Sequence, residues 1–314
     1  MSRIVSLLPA ATEIAAALGL MDEVIGVSHE CDFPDQANQR PRVTRCPIHQ
    51  TDLTSGEVDE WVRGALRENG TIYTIDEALL RELRPDVILT QKLCDVCAVG
   101  YGTVARLAET LPGPPRLINL EPSSLSDIFD DIRRVGVACD VPARADDVVA
   151  RLSERVEAVR GRASRAARRP RCFLMEWVDP PFCSGHWGPE LVEIAGGEDP
   201  LGRRHSRSVQ IAWAHVLDAG PDIMVLALCG YKVARARADF ELLRGFPRFD
   251  SLPAARLRAI YLVDASAFFA RPGPRIVDSL ELLAGIFHPD LFPEFTPATF
   301  NDGRVALALP VVRN

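Results

Sequence analysis

Seven short apolar, β-rich runs alternate with helical patterns along this chain, and that alternation limits its fold more than any other feature. Candidate strands cover residues 3–8, 23–28, 86–90, 116–120, 171–177, 222–228 and 259–265. Candidate helices cover 11–19, 56–68, 102–110, 124–138, 188–196, 234–244 and 273–286. The pattern implies βαβ units and mainly parallel sheets with helices on both faces. The first junction runs from a strand through Pro9 and Ala10 into a helix containing Thr12. Strand-to-helix turns of this kind are where α/β folds place ligands.

One stretch breaks the alternation. Between Val141 and Ala167 there is no strand signal, and Val148, Leu152, Val156 and Val159 share one helical face. A helix of that length spans roughly 35–40 Å. Six arginines between Arg160 and Arg171, with no acid among them, complement its carboxyl end. The flanking halves share a turn: Arg84-Pro85-Asp86-Val87-Ile88-Leu89 in one and Gly220-Pro221-Asp222-Ile223-Met224-Val225 in the other. The expected fold is α/β: two Rossmann-like lobes with mainly parallel sheets bridged by one long α-helix. The lobes are 1–139 and 169–314, and the helix is 140–168. A cleft between the lobes is the default ligand site.

The chain has 314 residues, 47% hydrophobic and 25% charged, enough to bury a full core. A formal charge of −7 argues against nucleic acid or an anionic membrane as the main partner. No run of 18 apolar residues occurs, which excludes an integral membrane helix. Pro9 and Glu13 interrupt the apolar start, so the expected location is cytoplasmic, with export as the alternative. In the cytoplasm the eight cysteines are reduced thiols or metal ligands rather than disulfides. Cys139 and Cys172 read as plain core residues.

A family resemblance follows from motifs in order over nearly the full length. They are Ser6-Leu7-Leu8-Pro9-Ala10-Ala11-Thr12-Glu13, Val24-Ile25-Gly26-Val27-Ser28 and Leu83-Arg84-Pro85-Asp86-Val87-Ile88. The second half adds Asp179-Pro180-Pro181-Phe182, Ser184-Gly185, Glu193-Ile194-Ala195-Gly196-Gly197-Glu198, Ser208-Val209-Gln210-Ile211-Ala212-Trp213 and Arg271-Pro272-Gly273-Pro274-Arg275-Ile276. The chain resembles the substrate-binding proteins of ABC importers for iron chelates and cobalamin, most of all the cobalamin-binding branch. The resemblance implies a class III periplasmic-binding-protein fold, a stiff helical hinge and a corrinoid ligand. It also implies one acidic residue on each lobe for docking on an ABC permease. After Trp213 this chain has Ala214 and His215, and near Ala78 it has Asp76 and Glu77. Permease docking is therefore not expected in its usual form. The first-lobe position after Ile88-Leu89-Thr90, where the family uses an aromatic, is Gln91.

Thiols and imidazoles follow several strands. They are His29 and Cys31, Cys46 and His49, Cys94 and Cys97, Cys183 and His186, and Cys229. The Cys94-x-x-Cys97 spacing suits two thiolates on one soft metal, zinc or iron, with Cys46, His49 and Cys31 as candidate further ligands. The same pair also reads as a redox dithiol or as simple core thiols. Candidate ligand contacts are Pro9, Ala10, Thr12, His29, Gln91, Lys92, Glu176, Trp177, His186, Trp187, Tyr231 and Phe268. The aromatic members suit the faces of a flat macrocycle, and Glu176 suits its amide fringe. Lys92 and Lys232 suit a phosphate or carboxylate.

Phosphate-loop, nucleophile-elbow, His-Glu-x-x-His and dinucleotide glycine motifs are all missing from the sequence. Ser184-Gly185-His186 is not a nucleophile arrangement. The expected function is non-catalytic binding of a corrinoid or similar metal-containing ligand. Two alternatives stand beside it: a metal, metal-chelate or haem binder with a Cys/His site, and a thiol-dependent enzyme acting on a bound cofactor.

Overall fold

A computed structural model describes residues 2–48, 53–92, 100–300 and 303–309. The chain divides into two compact units. The first comprises Met1–Asp52, Val58–Pro122 and Ser126–Leu152, and the second Leu53–Glu57, Ser123–Leu125 and Ser153–Asn314.

In chain order the first part contains β1 (Ile4–Ser6), α1 (Pro9–Ala17), β2 (Val24–Val27), β3 (Thr44–Arg45), α2 (Ser55–Asn69), β4 (Thr74–Ile75) and α3 (Glu77–Leu83). There follow β5 (Val87–Thr90), α4 (Tyr101–Glu109), β6 (Arg116–Asn119), α5 (Leu125–Ala138) and α6 (Pro142–Ala163). The main sheet runs β2-β1-β5-β6, all parallel. Strands β1 and β5 are buried along their whole length. Such strands read as continuous apolar runs because helices cover both faces of a parallel sheet. Helix α1 opens with Pro9 in its first turn, where the missing N–H costs nothing. Asp76 caps α3 by accepting the Leu79 N–H at 3.0 Å. Thr54 and Glu57 form a capping box at the start of α2: the Thr54 N–H donates to Glu57 Oε2 at 2.7 Å and the Glu57 N–H to Thr54 Oγ1 at 3.3 Å.

The second part contains β7 (Cys172–Trp177), β8 (Phe182–Cys183), β9 (Gly185–His186), α7 (Gly188–Ile194), β10 (Arg203–Arg204), α8 (Trp213–Ala219) and β11 (Ile223–Leu226). It ends with α9 (Val233–Arg244), α10 (Pro253–Arg256), β12 (Ile260–Val263), α11 (Ile276–Phe287) and β13 (Val305–Leu307). Its sheet runs β13-β12-β11-β7-β8, with the central strands parallel and the two edges antiparallel.

The two Pro-Asp turns do the same work in both units. Helix α3 ends on Arg84 and α8 on Gly220, each in the left-handed region at φ 44° and 53°. Asp86 then accepts the Arg3 N–H at 2.8 Å, and Asp222 accepts the Arg171 N–H at 3.0 Å. Each aspartate thus ties the entry of its own strand to the entry of the neighbour, β1 or β7.

The long helix has Val148, Leu152, Val156 and Val159 on its buried face, as the periodicity predicts. It ends at Ala163 rather than Ala167. Ala163 is also its last buried residue. Short elements escaped the sequence reading in whole or in their bounds: α10, β4 and edge strand β13 went unread, and α3, α8 and β3 were seen without bounds. Two to seven residues are too few to establish a period.

Candidate functional site

The parallel strands of each unit carry their candidate residues at their carboxyl ends. In the first unit, β1 leads directly into a buried polar chain. The Ser6 hydroxyl donates to the Leu8 carbonyl at 3.0 Å, the Thr12 hydroxyl donates to Ser6 Oγ at 2.8 Å, and Cys31 Sγ lies 3.1 Å from Thr12 Oγ1. Ser6, Thr12 and Cys31 are all fully buried. Thr12 and Cys31 therefore hold the strand-to-helix turn together, where the sequence reading expected a ligand contact and a metal ligand. Ala10 is buried too, and Pro9 is half-buried.

His29 follows β2. Its Nδ1 lies 2.7 Å from Thr44 Oγ1, and its ring packs on Tyr73 at 5.1 Å between centroids. Burial pulls its pKa down, but the hydrogen bonds and charges of Cys46 and Glu30 outweigh burial and push it up to about 9.

The ends of β5 and β6 pair Thr90 with Asn119 in register, so the two side chains share one face of the sheet. Thr90 is fully buried, and neither Thr90 Oγ1 nor Asn119 Oδ1 has a hydrogen-bond partner. Gln91 is buried and Lys92 is exposed. Thr90 and Asn119 were missed as candidates, although a polar residue closing each apolar strand was a readable signal.

In the second unit β7 delivers Glu176 and Trp177. Glu176 accepts the Gly185 N–H at 3.0 Å and a hydrogen bond from Ser208. Burial nevertheless raises its pKa. Asp199 lies close by in sequence order after α7 and accepts the Ser184 hydroxyl at 2.5 Å; burial pushes its carboxyl up to about 6. His186 sits in the left-handed region at φ 50°, its Nε2 buried and unpaired. Burial, helped by Arg207, lowers its pKa, so this imidazole is neutral at pH 7. A non-glycine residue held in that backbone region costs about 1–3 kcal/mol and persists where the surroundings impose it.

Trp177 and Tyr231 meet at 5.0 Å between centroids, and the Arg235 guanidinium covers the Tyr231 ring at 4.5 Å. Arg235 also donates to the Leu53 carbonyl at 2.6 Å, and Trp177 Nε1 donates to the Ser55 carbonyl at 3.1 Å. Tyr231, Trp187 and Phe268 are buried. Trp187 donates its indole N–H to the Phe269 carbonyl at 2.8 Å, and Phe268 packs edge-on to Phe300 at 5.6 Å. All three pack as anchors within the second unit. The core of an α/β unit draws in large aromatics wherever their polar tip finds a carbonyl. Cys229 and Lys232 are exposed at the end of β11.

His49, Cys94 and Cys97 lie outside the described residues. Among the described residues no three His, Cys, Asp or Glu side chains converge as a metal site. An open depression of about 760 Å3 lies at the amino-terminal edge of the first sheet, lined by Arg3, Arg81, Arg84 and Asp86. Arg3 and Arg81 there donate to the carbonyls of Leu83 and Thr110. They cap main-chain acceptors. The first turn of α8 carries no acid, with Ala214 and His215 exposed, whereas Glu77 is exposed at the start of α3. No helix among the described residues is long and apolar enough to cross a membrane.

The chain matches the family described as periplasmic binding protein over residues 4–267. It is 22% identical to a vitamin B12-binding protein of Vibrio cholerae, over 89% of this chain and 86% of that one. It is 21% identical to the uncharacterized ABC transporter substrate-binding lipoprotein YvrC of Bacillus subtilis, over 93% of this chain and 82% of that one. A solved periplasmic haem-binding protein of Pseudomonas aeruginosa shares the fold with a TM-score of 0.70 at 19% identity, covering 92% of this chain and 93% of that one. The family and the lipoprotein relative overturn the cytoplasmic placement read from the sequence. That reading took Pro9 and Glu13, which interrupt the apolar start, and the strand before them as its argument. The strand is present as β1, but a first strand belongs to the folded domain of exported and retained proteins alike. With a match over most of its length, the chain belongs to the periplasmic binding protein family and is a non-catalytic ligand-binding protein.

Proposed function

We propose that the cargo of this protein is a corrinoid, bound through neutral hydrogen-bonding groups at the carboxyl ends of the strands. The observation that carries this reading is the Thr90–Asn119 pair at the ends of β5 and β6. A buried hydroxyl and a buried amide oxygen without partners cost about 1–3 kcal/mol each, and a ligand that supplies partners recovers that cost. An amide oxygen accepts, so it calls for an N–H donor. The carboxamides that fringe a corrin ring provide one, and the ionised carboxylates of haem do not. The vitamin B12-binding relative supports the same class of cargo. In this reading the receiving partner is an ABC permease, met by Glu77 on the first unit.

The test is spectroscopic titration of the purified protein with hydroxocobalamin and, separately, with haemin. Stoichiometric binding of hydroxocobalamin, weakened about tenfold or more by Asn119→Leu, supports the reading. Saturable binding of haemin with none of hydroxocobalamin overturns it in favour of a haem binder.

A further inference from the structure

The turn from α3 into β5 carries a side chain that the turn itself does not require. Arg84 sits at φ 44°, and the equivalent turn of the second unit is made with Gly220 at φ 53°. That backbone conformation suits glycine and is costly for an ordinary residue, so glycine would serve here as it does there. The Arg84 side chain is exposed and lines the depression of about 760 Å3 at the amino-terminal edge of the first sheet. Its guanidinium makes no hydrogen bond or ion pair with any described residue.

Two more guanidiniums line the same depression, and both are fixed. Arg3 donates from Nε and Nη2 to the Leu83 carbonyl at 3.0 and 2.7 Å. Arg81 donates from Nη1 to the Thr110 carbonyl at 2.9 Å and from Nη2 to the Thr110 hydroxyl at 2.8 Å. These bonds satisfy carbonyls left over at the ends of α3 and α4 and hold both planar forks still. A guanidinium has five N–H donors, so each arginine keeps donors to spare. Among the described residues none of the three arginines pairs with a carboxylate. Asp86 is turned to the main chain, where it accepts the Arg3 N–H at 2.8 Å. Glu82 lines the depression without an ion pair, and Pro85 and Pro112 add apolar surface.

We propose that this depression binds the phosphoryl group of a small phosphate ester, with Arg84 as its main contact and Arg3 and Arg81 as fixed flanking charges. Guanidinium forks match phosphate oxygens in pairs, and their charge persists at any physiological pH. Two of the three forks are in place before the ligand arrives, so less is lost to ordering side chains. The volume is that of a site for a small organic molecule rather than for a bare ion. The depression lies at the other end of the sheet from Thr90 and Asn119, so the proposal stands apart from the identity of the cargo. A free phosphate ester and a phospholipid headgroup share this chemistry.

The experiment titrates the full chain with glycerol 3-phosphate by calorimetry at pH 7.5, in low and high salt. In parallel, the chain is sedimented with vesicles of phosphatidylglycerol or of phosphatidylcholine. Saturable binding of glycerol 3-phosphate, weakened about tenfold or more in Arg84→Gly and weakened by salt, supports the proposal with a free ester as ligand. Sedimentation with phosphatidylglycerol vesicles that is lost in Arg84→Gly, without binding of the soluble ester, supports it with the headgroup as ligand. Arg84→Asn, which also tolerates the left-handed region, stands in if Arg84→Gly does not fold. Arg248→Gly makes the same exchange at a left-handed arginine of the second unit, at φ 60°, and should leave binding unchanged. Glu82→Gln removes the opposing charge and should tighten binding about two- to fivefold. Binding of neither probe, or equal binding by the parent and Arg84→Gly, overturns the proposal.

Discussion

The indole N–H of Trp177 meets the carbonyl oxygen of Ser55 at 3.1 Å, joining residues 122 positions apart within the second unit. The same N–H lies 3.1 Å from the Asp179 carbonyl. Trp177 therefore pins the segment that starts α2, alongside the Arg235–Leu53 hydrogen bond. Trp177→Phe keeps a ring against Tyr231 and removes the donor, and should cost about 1 kcal/mol of unfolding free energy. Trp177→Ala also removes the packing and should cost about 3 kcal/mol or more. Urea denaturation curves of the two variants check the order; equal losses would mean that the hydrogen bond contributes nothing.

The hydroxyl of Thr12 should matter for stability more than for ligand affinity. It links Ser6 and Cys31 inside the first unit and reaches no solvent. Thr12→Val leaves the Ser6 and Cys31 groups short of a partner and should cost about 1–3 kcal/mol, with Thr12→Ser recovering most of it. Thermal melts of the three proteins give the comparison. A Thr12→Val protein as stable as the parent contradicts the buried chain.

Asp131 makes the first unit sensitive to pH. Its side chain, on α5, is 4% exposed and 2.7 Å from Arg134. Burial pushes its carboxyl up to about 7 in spite of Arg134, with Asp127 and Asp130 adding to the rise. The folded state holds this proton more tightly than the unfolded chain. Its stabilising effect is therefore complete below about pH 4 and is lost as pH rises towards 7. Asp131→Asn removes the titration. The stability of the parent relative to the variant should fall by on the order of 2–4 kcal/mol between pH 4 and pH 7. Denaturation at pH 4, 5.5 and 7 tests this, and a constant difference would refute it.

Gly285 lies inside α11, where alanine is ordinarily the better helix former. A Cβ at this position would fall 1.9 Å from the Phe295 carbonyl oxygen. Backbone of the following segment occupies that space and cannot turn aside as a side chain can. Gly285→Ala should destabilise the protein by about 2–4 kcal/mol, against the gain of up to about 1 kcal/mol that helix propensity alone predicts. A melting temperature at or above the parent value would show that the segment from 293 to 299 moves aside freely.

The βαβ alternation, the buried face of the long helix and the equivalence of the Arg84-Pro85-Asp86 and Gly220-Pro221-Asp222 turns are legible in the linear chain. Each is a local property. A parallel strand buried on both faces must be apolar throughout, a helix must repeat its apolar residues every three or four positions, and a turn must offer the conformations its backbone needs. The motif order that marked the family is equally a property of the linear chain. Which polar residues meet was decided only by the tertiary structure. Cys31 pairs with Thr12 rather than with Cys46 because α1 packs back over the end of β1. His29 meets Thr44 because the segment after β2 lies against β3. Trp187 and Phe268 disappear into the core because a carbonyl and a neighbouring ring receive them there. Thr90 and Asn119 stand side by side through the register of β5 and β6. Such meetings depend on strand order and register between distant segments, and the hydrophobic effect that drives those segments together is non-directional, so no single segment encodes its partner.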